Sequence, residues 1–199
     1  MASPERLGRS DLDAAAALLA RAFAVEPVLG YLLGDERERE RRLIFTALCR
    51  DVLGAGLLEG VRVDGQLASV AVWMAPGAHP VPLLRELRMV PAWLRLVTIH
   101  PRAVPGLLRA SPALDHLHPR EPHWFLFLLG TEPPLQQGGL GTALVEHGVR
   151  RAAEDGVPVH LDTGRQRNVK WFRRFGFEVA DEVRVVPGAP PLWGMRTSA

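Results

Sequence analysis

Apolar side chains recur along this chain at two spacings, and the changes of spacing mark its elements. Leu12, Ala15, Ala16, Leu19, Ala22 and Phe23 share one face of a predicted helix that opens near Ser10 and Asp13 and runs to about Ala24. Glu26-Pro27 breaks it. The charged run 35–42 sets opposite charges three and four apart, which suits the solvated first turns of a second helix. Its apolar stripe is Leu43, Ile44, Ala47, Leu48 and Val52, and it stops near Gly54 and Gly56. Residues 58–63 and 67–74 flank Asp64-Gly65, the signal of a two-residue hairpin. From Pro80 to His118, leucine and tryptophan clusters broken by Pro91, Pro101, Pro105 and Pro112 predict short helices.

The most informative stretch follows. Residues 124–129 form an aromatic and aliphatic run too short for a helix, which predicts a strand buried on both faces. Pro133-Pro134 stops it, and from Leu140 a helical pattern runs to about Gly156. Between them lies Gln136-Gln137-Gly138-Gly139-Leu140-Gly141. Glycines there admit positive φ and close backbone approach, while the first N–H groups of a helix have no partner inside it, so the loop predicts an anion cradle suited to phosphate. The strand 159–163, a short helix opened near Asn168, a strand 177–186 and a last strand 192–197 complete the pattern. With no linker or internal repeat, residues 1–199 form a single predicted domain.

The chemistry is narrowed by what the chain lacks. Lys170 is the only lysine, so the phosphate-loop motif, with lysine at the helix start, is excluded. A dinucleotide fingerprint fits Gly139-x-Gly141 with Asp162 downstream, but Leu144 replaces its third glycine and little chain remains for a doubly wound sheet. That leaves a nicotinamide-dependent oxidoreductase as a weak alternative. Net charge is only +2 and the arginines are dispersed, which gives no sign of nucleic-acid binding. Hydrophobic residues make up 47% of the 199, enough for a real core, yet no run approaches a membrane span. The first ten residues lack the apolar stretch of a signal peptide, and the single Cys49 excludes an intrachain disulfide, so a cytoplasmic protein is expected. Cys49 lies in a helical pattern and reads as a small core residue. His79, His100, His116 and His118 show no metal-ligand spacing, and no metal is expected.

The order of strand, Gln136-x-x-Gly139-x-Gly141, helix, strand, Asn168-x-x-x-Phe172 and Gly176-Phe177 resembles the acyl-CoA-binding core of the GNAT superfamily of N-acetyltransferases, whose loop reads [RQ]-x-x-G-x-[GA]. Residues 118–126, Leu161-Asp162-Thr163 and 187–195 bring it closer to the puromycin N-acetyltransferase group. The resemblance implies a single-domain α/β fold with a mixed, mostly antiparallel sheet, helices on both faces, and a splay beside the strand that ends at Thr131. It implies acetyl-CoA as co-substrate, with Leu129, Gly130 and Thr131 pairing with the pantetheine amides. The backbone of Gln136, Gln137, Gly138, Gly139, Leu140, Gly141 and Thr142 would hold the pyrophosphate, and Asn168 would bond the pantetheine arm. It also implies a small-molecule amine as acceptor, attacking the thioester directly, with the 80–118 insert and the first helix, including Phe23, Pro27 and Tyr31, near the acceptor. Oligomeric state, monomer or homodimer, stays open.

One departure stands out. Relatives usually carry a tyrosine, thought to protonate the leaving thiolate, where this chain has Phe172. A thiolate with a pKa near the ordinary ~8.5 leaves tolerably without an acid, and Tyr31 or water could supply one. Loss of the acid also keeps open a non-catalytic acyl-CoA-binding module. Candidates for the base that deprotonates the amine are His123, Glu132, His160 and Asp162, of which His160 and Asp162 alternate onto one face of their strand.

Overall fold

The computed structural model describes residues 3–33, 38–78 and 116–198, with isolated positions between 87 and 114. Most of the 80–118 insert, with its expected proline-punctuated helices, therefore lies outside the described residues, as do His79 and His100. The elements are β1 (Glu5–Arg6), α1 (Leu12–Ala22), α2 (Pro27–Leu33), α3 (Glu38–Val52), β2 (Gly56–Val63), β3 (Gln66–Met74), β4 (Trp124–Thr131), α4 (Leu140–Glu154), β5 (Val159–Thr163), α5 (Gln166–Phe172), β6 (Glu178–Arg184) and β7 (Pro191–Arg196). They build one seven-stranded sheet in the order β1-β2-β3-β4-β5-β7-β6. Among the described strand pairs β4 and β5 alone run parallel. Helices cover both faces: α1 and α3 pack over Leu58, Val70, Val72 and Phe125, while α4 and α5 pack over Ala71, Trp73, Leu126 and Leu161. The alternation along β3 is what divides its side chains between the two cores.

Local chemistry accounts for the junctions. Asp64 and Gly65 both take positive φ, 51° and 78°, as the two-residue turn between twisted strands requires. α1 ends at Ala22, short of the expected break at Glu26-Pro27, and Pro27 instead starts α2, an element absent from the sequence reading. Proline at the first helical position loses nothing, and the Glu26 carboxylate accepts the Leu29 N–H at 2.6 Å. The short β1 was missed as well; two residues carry no readable alternation, and it is fixed by pairing with Glu59 and Gly60.

The feature that positions the site is an irregularity in β4. Its register against β3 passes from Val72↔Leu128 to Trp73↔Leu126, so Phe127 faces no residue of β3. One extra residue in a strand bends it and sharpens its twist. Pairing of β4 with β5 is confined to Trp124–Leu126, and beyond Leu126 the two strands part. This is the expected splay, and its cause lies in the bulge.

Cys49 is wholly buried under α1, and burial pushes its thiol up to about 12. Because the thiolate is the reactive form, native protein at neutral pH should resist iodoacetamide, and one site should label once denaturant is added. Prompt labelling of the native protein, read by mass spectrometry, would contradict this core placement.

Candidate active site

The splay opens a cleft of about 1050 Å³ that runs from the glycine loop, past the diverging half of β4, to β5, α1 and α3. Its loop end is built by backbone. Gln137 and Gly139 both take left-handed φ, 68° and 82°, on either side of Gly138. Gly139 meets this cheaply; Gln137 is held there at a cost. The first internal bond of α4 is from the Ala143 N–H to the Gly139 carbonyl at 3.1 Å. The N–H groups of Leu140, Gly141 and Thr142 therefore have no partner within the helix and carry its positive end. At Gly141 an added Cβ would make only ordinary contacts, the nearest being Thr131 Oγ1 at 3.6 Å, so it is a longer side chain that would fill the cleft there.

Of the residues expected to bind cofactor, Leu129, Gly130, Thr131, Gln136, Gln137, Gly139, Leu140, Gly141, Thr142 and Asn168 all line the cleft. Gly138 does not; its N–H turns back to the Leu135 carbonyl at 3.4 Å, so its part is to shape the turn. Gly130 admits α1, since a Cβ there would come within 2.9 Å of Leu19 and 3.0 Å of Ala22. Asn168 donates to Thr163 Oγ1 at 3.2 Å, which ties α5 to the end of β5 at the cleft wall.

At the other end the side chains are mostly apolar, among them Phe23, Leu29, Ile44, Leu48 and Phe127, and two carboxylates face the same space, Glu26 and Asp162. Glu26 is raised above its ordinary value chiefly by burial, against the opposing pull of the Leu29 N–H and of nearby Arg165. The sequence offered no cue to Glu26, because a glutamate before proline reads as a helix terminus. Asp162 accepts from His160 Nε2 at 3.1 Å. His160 is fully buried and outside the cleft lining, so it reaches the cleft only through Asp162.

The other expected bases lie elsewhere. His123 is buried beside His160, ring centres 5.6 Å apart, with Nδ1 bonded to the Glu121 carbonyl at 2.7 Å. Glu132 is paired with Arg21 outside the cleft lining. Tyr31 is half exposed and turned toward the Pro187 carbonyl at 3.3 Å; it too is absent from the cleft wall. Phe172 does line the cleft, with its ring against Trp171 and Phe177. His118, expected at the surface or as a cap, also lines the cleft and packs edge-on to His160 at 5.3 Å.

A mixed sheet bent apart at a bulge, with a helix start at the gap, is the architecture in which this chain can be compared with known proteins. The sequence model of the acetyltransferase (GNAT) family matches residues 93–177. An uncharacterised N-acetyltransferase of Schizosaccharomyces pombe is 25% identical over 180 residues, 87% of this chain and 73% of that protein. The crystal structure described as histone acetyltransferase HPA2 and related acetyltransferase from Corynebacterium glutamicum shares the fold with a TM-score of 0.76 and 22% identity, covering 100% of this chain and 98% of that one. PaiA N-acetyltransferase of Thermoplasma acidophilum, solved with coenzyme A, shares it at 0.60 and 11%, covering 100% and 99%. The family model thus takes in the glycine loop and Asn168, 85 of the 199 residues (177 − 93 + 1), and over the whole chain the fold is the one these acetyltransferase structures share. A nicotinamide-binding reading is set aside, because a doubly wound parallel sheet is not what these strands form.

Proposed function

We propose that the chain transfers the acetyl group of acetyl-CoA to the primary amine of a small molecule, in one step, without an acyl-enzyme. The observation that carries this reading is the continuity of the cleft, which joins a helix start with free N–H groups to a carboxylate through a bent strand whose β5-facing edge is unpaired beyond Leu126. The N–H groups at the start of α4 suit the pyrophosphate, and the unpaired edge of Leu129–Thr131 suits the amides of the pantetheine arm. The amine nitrogen attacks the thioester carbonyl carbon, the C–S bond breaks, CoA leaves as thiolate, and the amine's proton passes to Asp162. Asp162 is the catalytic base in this scheme; His160 is a positioning residue that fixes its carboxylate. Phe172 has no proton to offer, so the thiolate leaves unprotonated or takes its proton from water. The mostly apolar wall from Phe23 to Phe127 suits an acceptor with a hydrophobic body.

Thermal unfolding with acetyl-CoA, CoA and NADH in parallel tests the co-substrate. Saturation at about 100 times Kd adds roughly 2.7 kcal/mol, hence a rise of about 5–10 °C for a chain of this size. Both CoA species should give it and NADH should not. Gly141→Glu, which sets a carboxylate in the cradle, should abolish the shift. Equal shifts in wild type and variant would remove the cradle from the site.

A further inference from the structure

His118, His160 and Asp162 meet at the end of the cleft away from the glycine loop. One ring nitrogen each of His118 and His160 and a carboxylate oxygen of Asp162 all lie within 4.8 Å of one another. We propose that these three residues form a binding site for a borderline divalent transition-metal cation, for which Zn²⁺ is the probe, and that the ion occupies the place of the acceptor amine.

Three observations bear on it. Two imidazoles and one carboxylate are the donor set that zinc and its neighbours take in open, three-ligand sites. His160 Nε2 and Asp162 Oδ1 are 3.1 Å apart, already close to the ~3.4 Å that separates tetrahedral donors with bonds of 2.0–2.1 Å. Only His118 has to close in, and it is half-buried on the segment that enters β4. Two of the donors, His118 and Asp162, line the cleft, which gives the ion a route in and leaves its remaining positions toward the acceptor space.

The site itself is independent of acetyl transfer; only its consequence, inhibition competitive with the amine, rests on Asp162 being the base. Equilibrium dialysis of the full chain against Zn²⁺ should give one ion bound per chain. His118→Gln and Asp162→Asn should each weaken binding by at least the tenfold that loss of even an outer-shell partner costs a metal site. His116→Gln, at a histidine whose side chain is 72% exposed, should leave it unchanged. Absence of binding, or binding that survives both ligand substitutions, overturns the proposal. The visible spectrum of Co²⁺ added to wild type gives a test that needs no variant: intense low-coordinate bands support the site, and the spectrum of the aqueous ion refutes it. If Zn²⁺ binds as described but leaves the KM for the amine unmoved, the metal site stands and the assignment of Asp162 to the acceptor fails. If CoA gives no thermal shift while Zn²⁺ binds, the acetyl-CoA reading fails alone.

Discussion

Asp162→Asn is expected to lower kcat/KM for amine acetylation by about 10²–10⁴, the usual contribution of a positioned general base, while the thermal shift with CoA stays as in wild type. The substitution is nearly isosteric. An asparagine oxygen can still accept from His160 Nε2, now 3.1 Å from Asp162 Oδ1, so the buried pair keeps its bond and only the capacity to take a proton is lost. In the proposed reading the co-substrate binds at the other end of the cleft, at the start of α4, and its binding should not register the change. Initial rates of thiol release with a responsive amine, set beside the CoA-induced rise in unfolding temperature, make the measurement. A variant that retains more than half of the wild-type kcat/KM would remove Asp162 from the chemistry and turn attention to Glu26, the second carboxylate in the cleft.

The loop end of the site was legible because its signal is local. Glycines and a helix start within six residues need no distant partner to be read, and all of the loop residues except Gly138, which shapes the turn, line the cleft. Regular elements were legible for a related reason: each of α1, α3, β3 and α4 repeats its period often enough to be counted, and their observed ends fall within a few residues of those expected. The opposite end of the cleft was not, because it is assembled across the chain. Glu26 precedes α2, His118 precedes β4, and Asp162 sits on β5; no spacing in the sequence links them. The alternation of His160 and Asp162 did predict a shared face, but burial decides that Asp162 lines the cleft and His160 does not, and burial depends on what packs from β7 and from the 118–123 segment. The bulge at Phe127 was likewise invisible. It inserts a residue into a run that is apolar on both faces, where no alternation exists to be interrupted.

Arg151→Met should cost about 3–5 kcal/mol of stability, as removal of one partner from a buried ion pair does, and at roughly 2–4 °C per kcal/mol should lower the unfolding temperature by about 6–20 °C. Arg151 on α4 donates to Glu59 on β2 at 2.5 Å, with side chains 18% and 7% exposed. Its guanidinium lies 4.5 Å from the centre of the Trp124 ring and 5.3 Å from that of Trp73, so one arginine joins the helix to three strands. Trp73 in turn packs so closely on α4 that a Cβ at Gly148 would come within 2.1 Å of its ring. Without Arg151 the Glu59 carboxylate would be left in that setting with only His147 Nε2, 3.5 Å away, for an ionic partner. Adding Glu59→Leu to Arg151→Met removes the stranded charge and should recover most of the loss, because two apolar groups of similar bulk replace a buried pair at little net cost. A double-mutant cycle by denaturant unfolding measures the coupling directly. A single-variant loss below about 1 kcal/mol, the scale of an exposed pair, would mean that packing of Trp73 against Gly148 holds α4 to the sheet unaided, and with it the helix start on which the anion cradle depends.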